Sequence, residues 1–84
     1  MFRTDKPVSR ERFDNALDAL GDRLLRLKGH VRFEEGLRFV ECVGAERAES
    51  GSLAESGGST AFTAITWKTP PIELIERFNA CWED

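Results

Sequence analysis

One nine-residue segment, Leu25-Arg26-Leu27-Lys28-Gly29-His30-Val31-Arg32-Phe33, constrains the fold of this chain more than any other. Its odd positions are apolar or glycine, and its even positions are all basic. Alternation with a period of two is typical of a β-strand that has one buried face and one solvated face. The segment therefore predicts a strand that presents a row of cations to solvent.

The residues that follow predict an antiparallel hairpin. Residues 34–36 have the composition of a short turn, and residues 37–43 return as the partner strand. We expect a three-residue turn, which places both Phe33 and Phe39 on the buried face. The same register points Glu41 inward, so a bulge is expected nearby to relieve it.

Two segments have the apolar spacing of helices. Apolar residues recur at i, i+3, i+4 and i+7 within residues 10–20, after Ser9 as a capping residue and before Gly21 as a stop. A second apolar stripe follows Thr69, which we expect to cap a helix that begins at Pro70 and runs to residue 84.

The remaining segments complete the predicted fold. Phe2 and Arg3 resemble a short edge strand, and residues 60–68 are rich in β-branched and aromatic residues, as in a long strand. Residues 44–59 are small and polar and predict a flexible loop. The predicted fold class is α+β: one domain over residues 1–84, with a mainly antiparallel sheet of three or four strands, two helices on one face, and the order β-α-β-β-β-α.

Composition limits the function further. The chain has 84 residues, a formal net charge of −3 and 32% charged residues, and it contains no apolar run long enough to span a bilayer. No signal peptide is recognisable, so a cytoplasmic, non-membrane protein is expected. The negative balance disfavours general nucleic-acid binding, and so does the expected burial of Phe33 and Phe39.

Catalytic motifs are missing from the sequence. No glycine-rich phosphate-binding loop with its lysine is present, and no signature ties a nucleophile to His30, the one histidine. We therefore predict no catalytic residue and no cofactor held by this chain. His30 and Cys42 are weak candidates for metal ligands, because they could share one face of the hairpin.

The predicted binding site is the cationic strand face, which could attract an anionic partner. Its candidate residues are Arg26, Lys28, His30, Arg32 and Arg38. An ordinary solvated sheet face is the alternative interpretation of the same pattern.

Taken together, these segments resemble the C-terminal domain of CobW-type GTPases. Arg26, Lys28 and Gly29 match the family's Arg-Ala-Lys-Gly motif, with Leu27 in place of the alanine. The strand within residues 62–67 and the closing helix at 72–81 are also similar to the family.

The resemblance implies an accessory domain of a GTPase that takes part in metal delivery or cobalamin synthesis. GTP and a divalent metal are implied for the full-length family protein, in a preceding GTPase domain. The implied partner is that GTPase domain or a client metalloprotein, which the cationic face would contact. A free-standing nucleic-acid-binding module and a small metal-binding protein remain as alternatives, and the sequence leaves the oligomeric state open.

Overall fold

The computed structural model describes residues 2–44, 46–51 and 59–83. Its elements are β1 (Phe2–Thr4), α1 (Arg10–Leu20), β2 (Leu24–Phe33), β3 (Gly36–Val43), β4 (Glu46–Gly51), β5 (Thr60–Thr66) and α2 (Pro71–Asn79). The strands form one antiparallel, five-stranded sheet in the order β1-β5-β2-β3-β4. The predicted α+β class is confirmed, with five strands where three or four were expected.

Both helices pack on the same side of the sheet, as predicted. Phe62 of β5 contacts Phe13 of α1 and Phe78 of α2, with ring centroids 5.9 and 5.0 Å apart. All three rings are essentially buried, and edge-to-face packing of this kind adds to the free energy gained by burial. We call this side of the sheet the inner face and the opposite side the outer face.

The helix ends follow from local sequence. The Ser9 hydroxyl accepts a hydrogen bond from the Arg12 amide, and Gly21 ends α1 at φ 50°, both as predicted. Both ends of α2 differ from the prediction: Pro70 is the residue before the helix, which begins at Pro71 and ends at Asn79 rather than at residue 84. Thr69 does not cap it, because the Thr69 hydroxyl donates to the carbonyl oxygen of Trp67.

The predicted register of the hairpin was wrong by one residue. Glu34 and Glu35 alone form the turn, so that Phe33 pairs with Gly36 and His30 with Phe39. This register pairs Glu41 with solvent-facing Lys28, and it removes the buried carboxylate without the expected bulge. The consequence is that Phe39 lies on the outer face.

The predicted flexible loop at 44–59 contains a strand. Glu46–Gly51 pairs with β3 as β4, whereas residues 45 and 52–58 lie outside the described part of the chain. Every residue of β4 is exposed, so the hydrophobic alternation that predicts a strand is missing. Backbone pairing and ion pairs hold it instead: Arg47 Nη2 lies 2.5 Å from Asp18 Oδ1 on α1.

A β-bulge changes the direction of Leu25. Leu24 pairs with Thr66 and Arg26 with Ile65, so β2 has one residue more than β5 between these pairs. Leu24 is 4% exposed and Leu25 is 47% exposed. Leu25 was predicted to be buried, but the bulge turns it to solvent and Leu24 takes the inner position.

Candidate functional site

The outer face carries a row of cationic side chains along the central strand β2. Arg26, Lys28, His30 and Arg32 occupy alternate positions, between the buried residues of the inner face. β2 lies between β5 and β3 in the sheet. The row therefore runs along the middle of the outer face, as the sequence predicted, and none of the described helices covers it.

Among the residues that the structure describes, few contacts neutralise this row. The Arg26 guanidinium is 3.9 Å from Glu41 Oε2, and its side chain remains 57% exposed. Arg32 Nη1 donates to the Asp5 carbonyl oxygen at 3.3 Å. These are solvent-screened contacts of small energy, so the charges remain accessible to an anionic partner.

Phe39 joins the row as an aromatic neighbour. It pairs with His30 across β2 and β3, and the two rings meet edge to face at 5.4 Å. The expected burial of Phe39 was one argument against nucleic acid, and that argument does not apply to this residue. Phe33 is 2% exposed, on the inner face, as predicted.

Arg38 does not belong to the row. It pairs with Val31, which is fully buried on the inner face, and its Nε lies 3.5 Å from Glu49 Oε1. Paired residues of neighbouring strands point to the same side of a sheet. Arg38 was predicted on the cationic face because the assumed hairpin register was one residue out.

Arg38 instead belongs to an ion-pair network at the edge of the inner face. Arg10 donates to Glu49 at 2.6 Å and to Glu35 at 2.8 and 2.6 Å, and its guanidinium lies 4.0 Å from the centre of the Phe33 ring. The hydrogen bond from Arg10 lowers the pKa of Glu49, with a further contribution from Arg38, and the two carboxylates raise the pKa of Arg10. The network joins α1, the hairpin turn and β4.

This network predicts an acid-sensitive part of the stability. A carboxylate whose pKa is lower in the folded state than its ordinary value of 4.5 stabilises the fold above that value, and this stabilisation is lost as the pH falls through the folded pKa. We expect the free energy of unfolding to fall less between about pH 5 and pH 3 in Glu49→Gln than in the wild type. Urea titrations at several pH values measure this, with Glu76→Gln on α2 as control. Equal losses in all three proteins would contradict the role of Glu49.

The two candidate metal ligands lie on opposite faces of the sheet. His30 is on the outer face, whereas Cys42 pairs with buried Leu27 and is 1% exposed on the inner face. The prediction that they could share a face was therefore wrong. Among residues 2–44, 46–51 and 59–83, no group of three or more His, Cys, Asp or Glu side chains is arranged to hold a metal ion.

Both cysteines are free and buried. Burial raises the pKa of Cys42, and it raises the pKa of Cys81 to about 11. A thiol with a raised pKa is protonated at neutral pH and is a poor nucleophile or metal ligand. Their burial fits a packing role.

Gly29 of the strand motif has a structural role that the sequence analysis did not assign. A Cβ built on Gly29 would lie 2.5 Å from the Cα of Phe62 and would also meet the carbonyl oxygen of Ala61. Gly29 has φ 154°, which side-chain-bearing residues rarely adopt. Only glycine lets β2 and β5 approach this closely. The sequence does carry a signal for this role, because a glycine inside a strand pattern often marks a close approach of two backbones.

An apolar cluster at one end of the outer face was also missed. It consists of four large side chains that are each about half exposed: Leu25, Val43, Ile65 and Trp67. Val43 and Ile65 both pair with Arg26, from β3 and from β5. The cluster could not be found by periodicity, because it depends on the bulge and on cross-strand register.

In the described part of the chain, no helix is both long and apolar enough to cross a membrane.

The fold and this face define a small α+β domain whose sheet is covered by helices on one side, with a cationic and partly apolar surface on the other. The chain belongs to the family of cobalamin synthesis protein CobW C-terminal domains, whose model matches residues 1–82. The predicted resemblance is thereby confirmed over nearly the whole chain. No curated protein and no solved structure matches the chain significantly.

Proposed function

We propose that this chain is a non-catalytic domain that docks a CobW-type GTPase domain, or a client metalloprotein of that GTPase, onto the outer face of its sheet. The observation that carries the proposal is the row formed by Arg26, Lys28, His30 and Arg32 on a sheet face that no described helix covers. The CobW C-terminal match supports an accessory role.

The charge of the outer face indicates which chemical groups the proposed partner presents. The chain as a whole has a formal net charge of −3, yet the middle of the outer face is cationic. A local field of this kind accelerates encounter with an acidic surface and orients the approach, and salt weakens it. We therefore expect the partner to present carboxylates to β2.

In this proposal, GTP hydrolysis and metal handling belong to the GTPase domain. The chain has no phosphate-binding loop, and the described residues offer no cluster of metal ligands, so no step of that chemistry is assigned to them. The contribution of this domain to metal delivery or cobalamin synthesis is to hold or orient a partner protein.

Charge reversal tests the docking face. We expect the double substitution Lys28→Glu and Arg32→Glu to lower the affinity for the separately expressed GTPase domain at least tenfold, mainly through slower association. Both side chains lie on the outer face, so the domain should remain folded by circular dichroism. Surface plasmon resonance at several salt concentrations measures the association and dissociation rates.

The control is Lys6→Glu, which reverses one charge, half of the charge change in the double variant, in the exposed segment between β1 and α1. It should bind within about twofold of the wild type, since an isolated exposed charge contributes little. Unchanged binding of the double variant, or equal losses in the control, would count against docking through β2.

Single-stranded nucleic acid is a second candidate partner for the same face. The observation that favours it is Phe39, which lies beside His30 within the cationic row and could stack on a base. Titration with single-stranded RNA separates the two functions, because phosphate contacts give a steep dependence of affinity on salt. Tight, salt-sensitive RNA binding that is lost in Phe39→Ala would replace the protein-docking proposal.

A further inference from the structure

The outer face has a second part that differs in chemistry from the cationic row. The apolar cluster of Leu25, Val43, Ile65 and Trp67 contains side chains that are 47, 54, 53 and 47% exposed. Large apolar side chains that are grouped on a surface usually mark an interaction site, whereas scattered ones do not. The cluster therefore requires its own explanation.

The register shows that three strands build the cluster around Arg26. Arg26 lies on β2 between Val43 on β3 and Ile65 on β5, as the direct partner of both. Directly paired side chains are about 4.5–5.5 Å apart at Cβ. The bulge places Leu25 next to Arg26 on the solvent side. A guanidinium thus lies within an exposed apolar surface.

Trp67 extends the cluster beyond the end of β5. Its amide donates to the Arg23 carbonyl oxygen at 3.0 Å, and its Nε1 donates to the Asp22 carbonyl oxygen at 3.1 Å. These two bonds fix the ring, which remains 47% exposed, and Lys68 Nζ lies 4.6 Å from the ring centre. Tryptophan and arginine are the residue types that most often dominate binding energy at protein interfaces, and a ring that is already held in place loses little entropy on binding.

The charge of Arg26 determines what can cover the cluster. Covering it with a purely apolar surface would remove water from the guanidinium without replacing its hydrogen bonds, which is strongly unfavourable. Glu41 is 3.9 Å away and does not complete a close hydrogen-bonded pair. The covering surface must therefore supply an acceptor, and a carboxylate fits a guanidinium best.

We infer that the apolar cluster is the energetic centre of the docking face and that it binds a protein surface with an apolar centre and a carboxylate opposite Arg26. This rests on the proposed function and deepens it: the cationic row guides the encounter, and the cluster holds the complex. The partner's other carboxylates would lie along β2, opposite Lys28 and Arg32.

The test removes the apolar character and keeps the strand. Val43→Thr combined with Ile65→Thr retains β-branching, which suits a strand. We expect at least a tenfold loss of affinity for the GTPase domain, mainly through faster dissociation, with the salt dependence unchanged. Ile72→Thr combined with Ile75→Thr is the matched control, because these side chains are 62 and 44% exposed on α2 and should leave the affinity unaltered.

A substitution at Arg26 tests the carboxylate separately. Arg26→Met keeps a long apolar side chain and removes the charge. We expect weaker binding, since a partner carboxylate would then be buried without a cation; tighter binding would overturn this part of the inference.

The outcomes separate the inference from the proposed function. If charge reversal at Lys28 and Arg32 weakens binding while the Val43 and Ile65 substitutions do not, the inference fails and the docking function stands. If neither pair of substitutions weakens binding, or if the wild-type chain does not bind the GTPase domain, both the inference and the proposed function fail. If the chain bound anionic lipid vesicles through the cluster and did not bind the GTPase domain, the inference that the partner is a protein would be wrong.

Discussion

In the Gly29→Ala variant, most molecules are expected to be unfolded under conditions in which the wild-type chain is folded. The new Cβ would lie 2.5 Å from the Cα of Phe62 and 2.6 Å from its Cβ. These atoms belong to β5, which is hydrogen-bonded to β1 on one side and to β2 on the other, so they cannot move away as a flexible side chain would. The strain must separate β2 from β5 or distort both.

The expected loss is large compared with the total stability. Substitutions that create a backbone clash inside a sheet are among the rare ones that cost about 4 kcal/mol or more. The average free energy of unfolding per residue implies a total of roughly 4–13 kcal/mol for a domain of this size. Urea unfolding followed by circular dichroism, with amide NMR spectra to assess folding, measures the change.

Gly51→Ala on the edge strand β4 is the control. A Cβ at Gly51 meets no atom of the described residues within 4 Å, and no unusual φ is required there, so we expect a change within about 0.5 kcal/mol. If Gly29→Ala remained as stable as Gly51→Ala, the close approach of β2 and β5 would be refuted.

Phe62→Ala is the second substitution with a large expected effect. Phe62 is 1% exposed and lies at the centre of the aromatic core. Its ring is 5.2 Å from Phe2, 5.9 Å from Phe13 and 5.0 Å from Phe78. Truncation removes contacts with both helices and β1 at once, so a loss of about 3–5 kcal/mol in the free energy of unfolding is expected.

Two comparisons sharpen this prediction. Ile72→Ala on α2 removes an exposed side chain and should change the stability by no more than about 0.5 kcal/mol. Phe62→Ala should not rescue Gly29→Ala, because alanine keeps the Cα and Cβ atoms that the new methyl group would meet. Recovery of stability in the double variant would show that the ring, and not the backbone, limits the approach.

The residues of the family's strand motif, Arg26, Lys28 and Gly29, have two different roles. Gly29 serves the fold, because it lets the central strand approach β5. Arg26 and Lys28 point to the outer face and contribute little to the core. Substitutions at Gly29 should therefore act through stability, whereas those at the two cations should act through binding.

The sequence predicted most of the fold where one local signal was sufficient. The alternation within 25–33 placed β2 and its cationic face, because a strand exposes every second residue to the same side. Ser9 and Gly21 placed the ends of α1, because capping depends on neighbouring residues. The pattern of elements indicated the fold class, and a short motif indicated the family that the comparison confirmed.

Tertiary structure alone decided the composition of the outer face. The hairpin register moved Phe39 outward and Arg38 inward, since a shift of one residue exchanges the two faces of a strand. The bulge at Leu25 depends on the pairing of β2 with β5. β4 is defined by its backbone pairing with β3, which its exposed side chains do not indicate. The pairing that creates the bulge joins residues 24–26 to residues 65–66, which are far apart in the chain, and the hairpin register depends on which side of each strand packs against the helices.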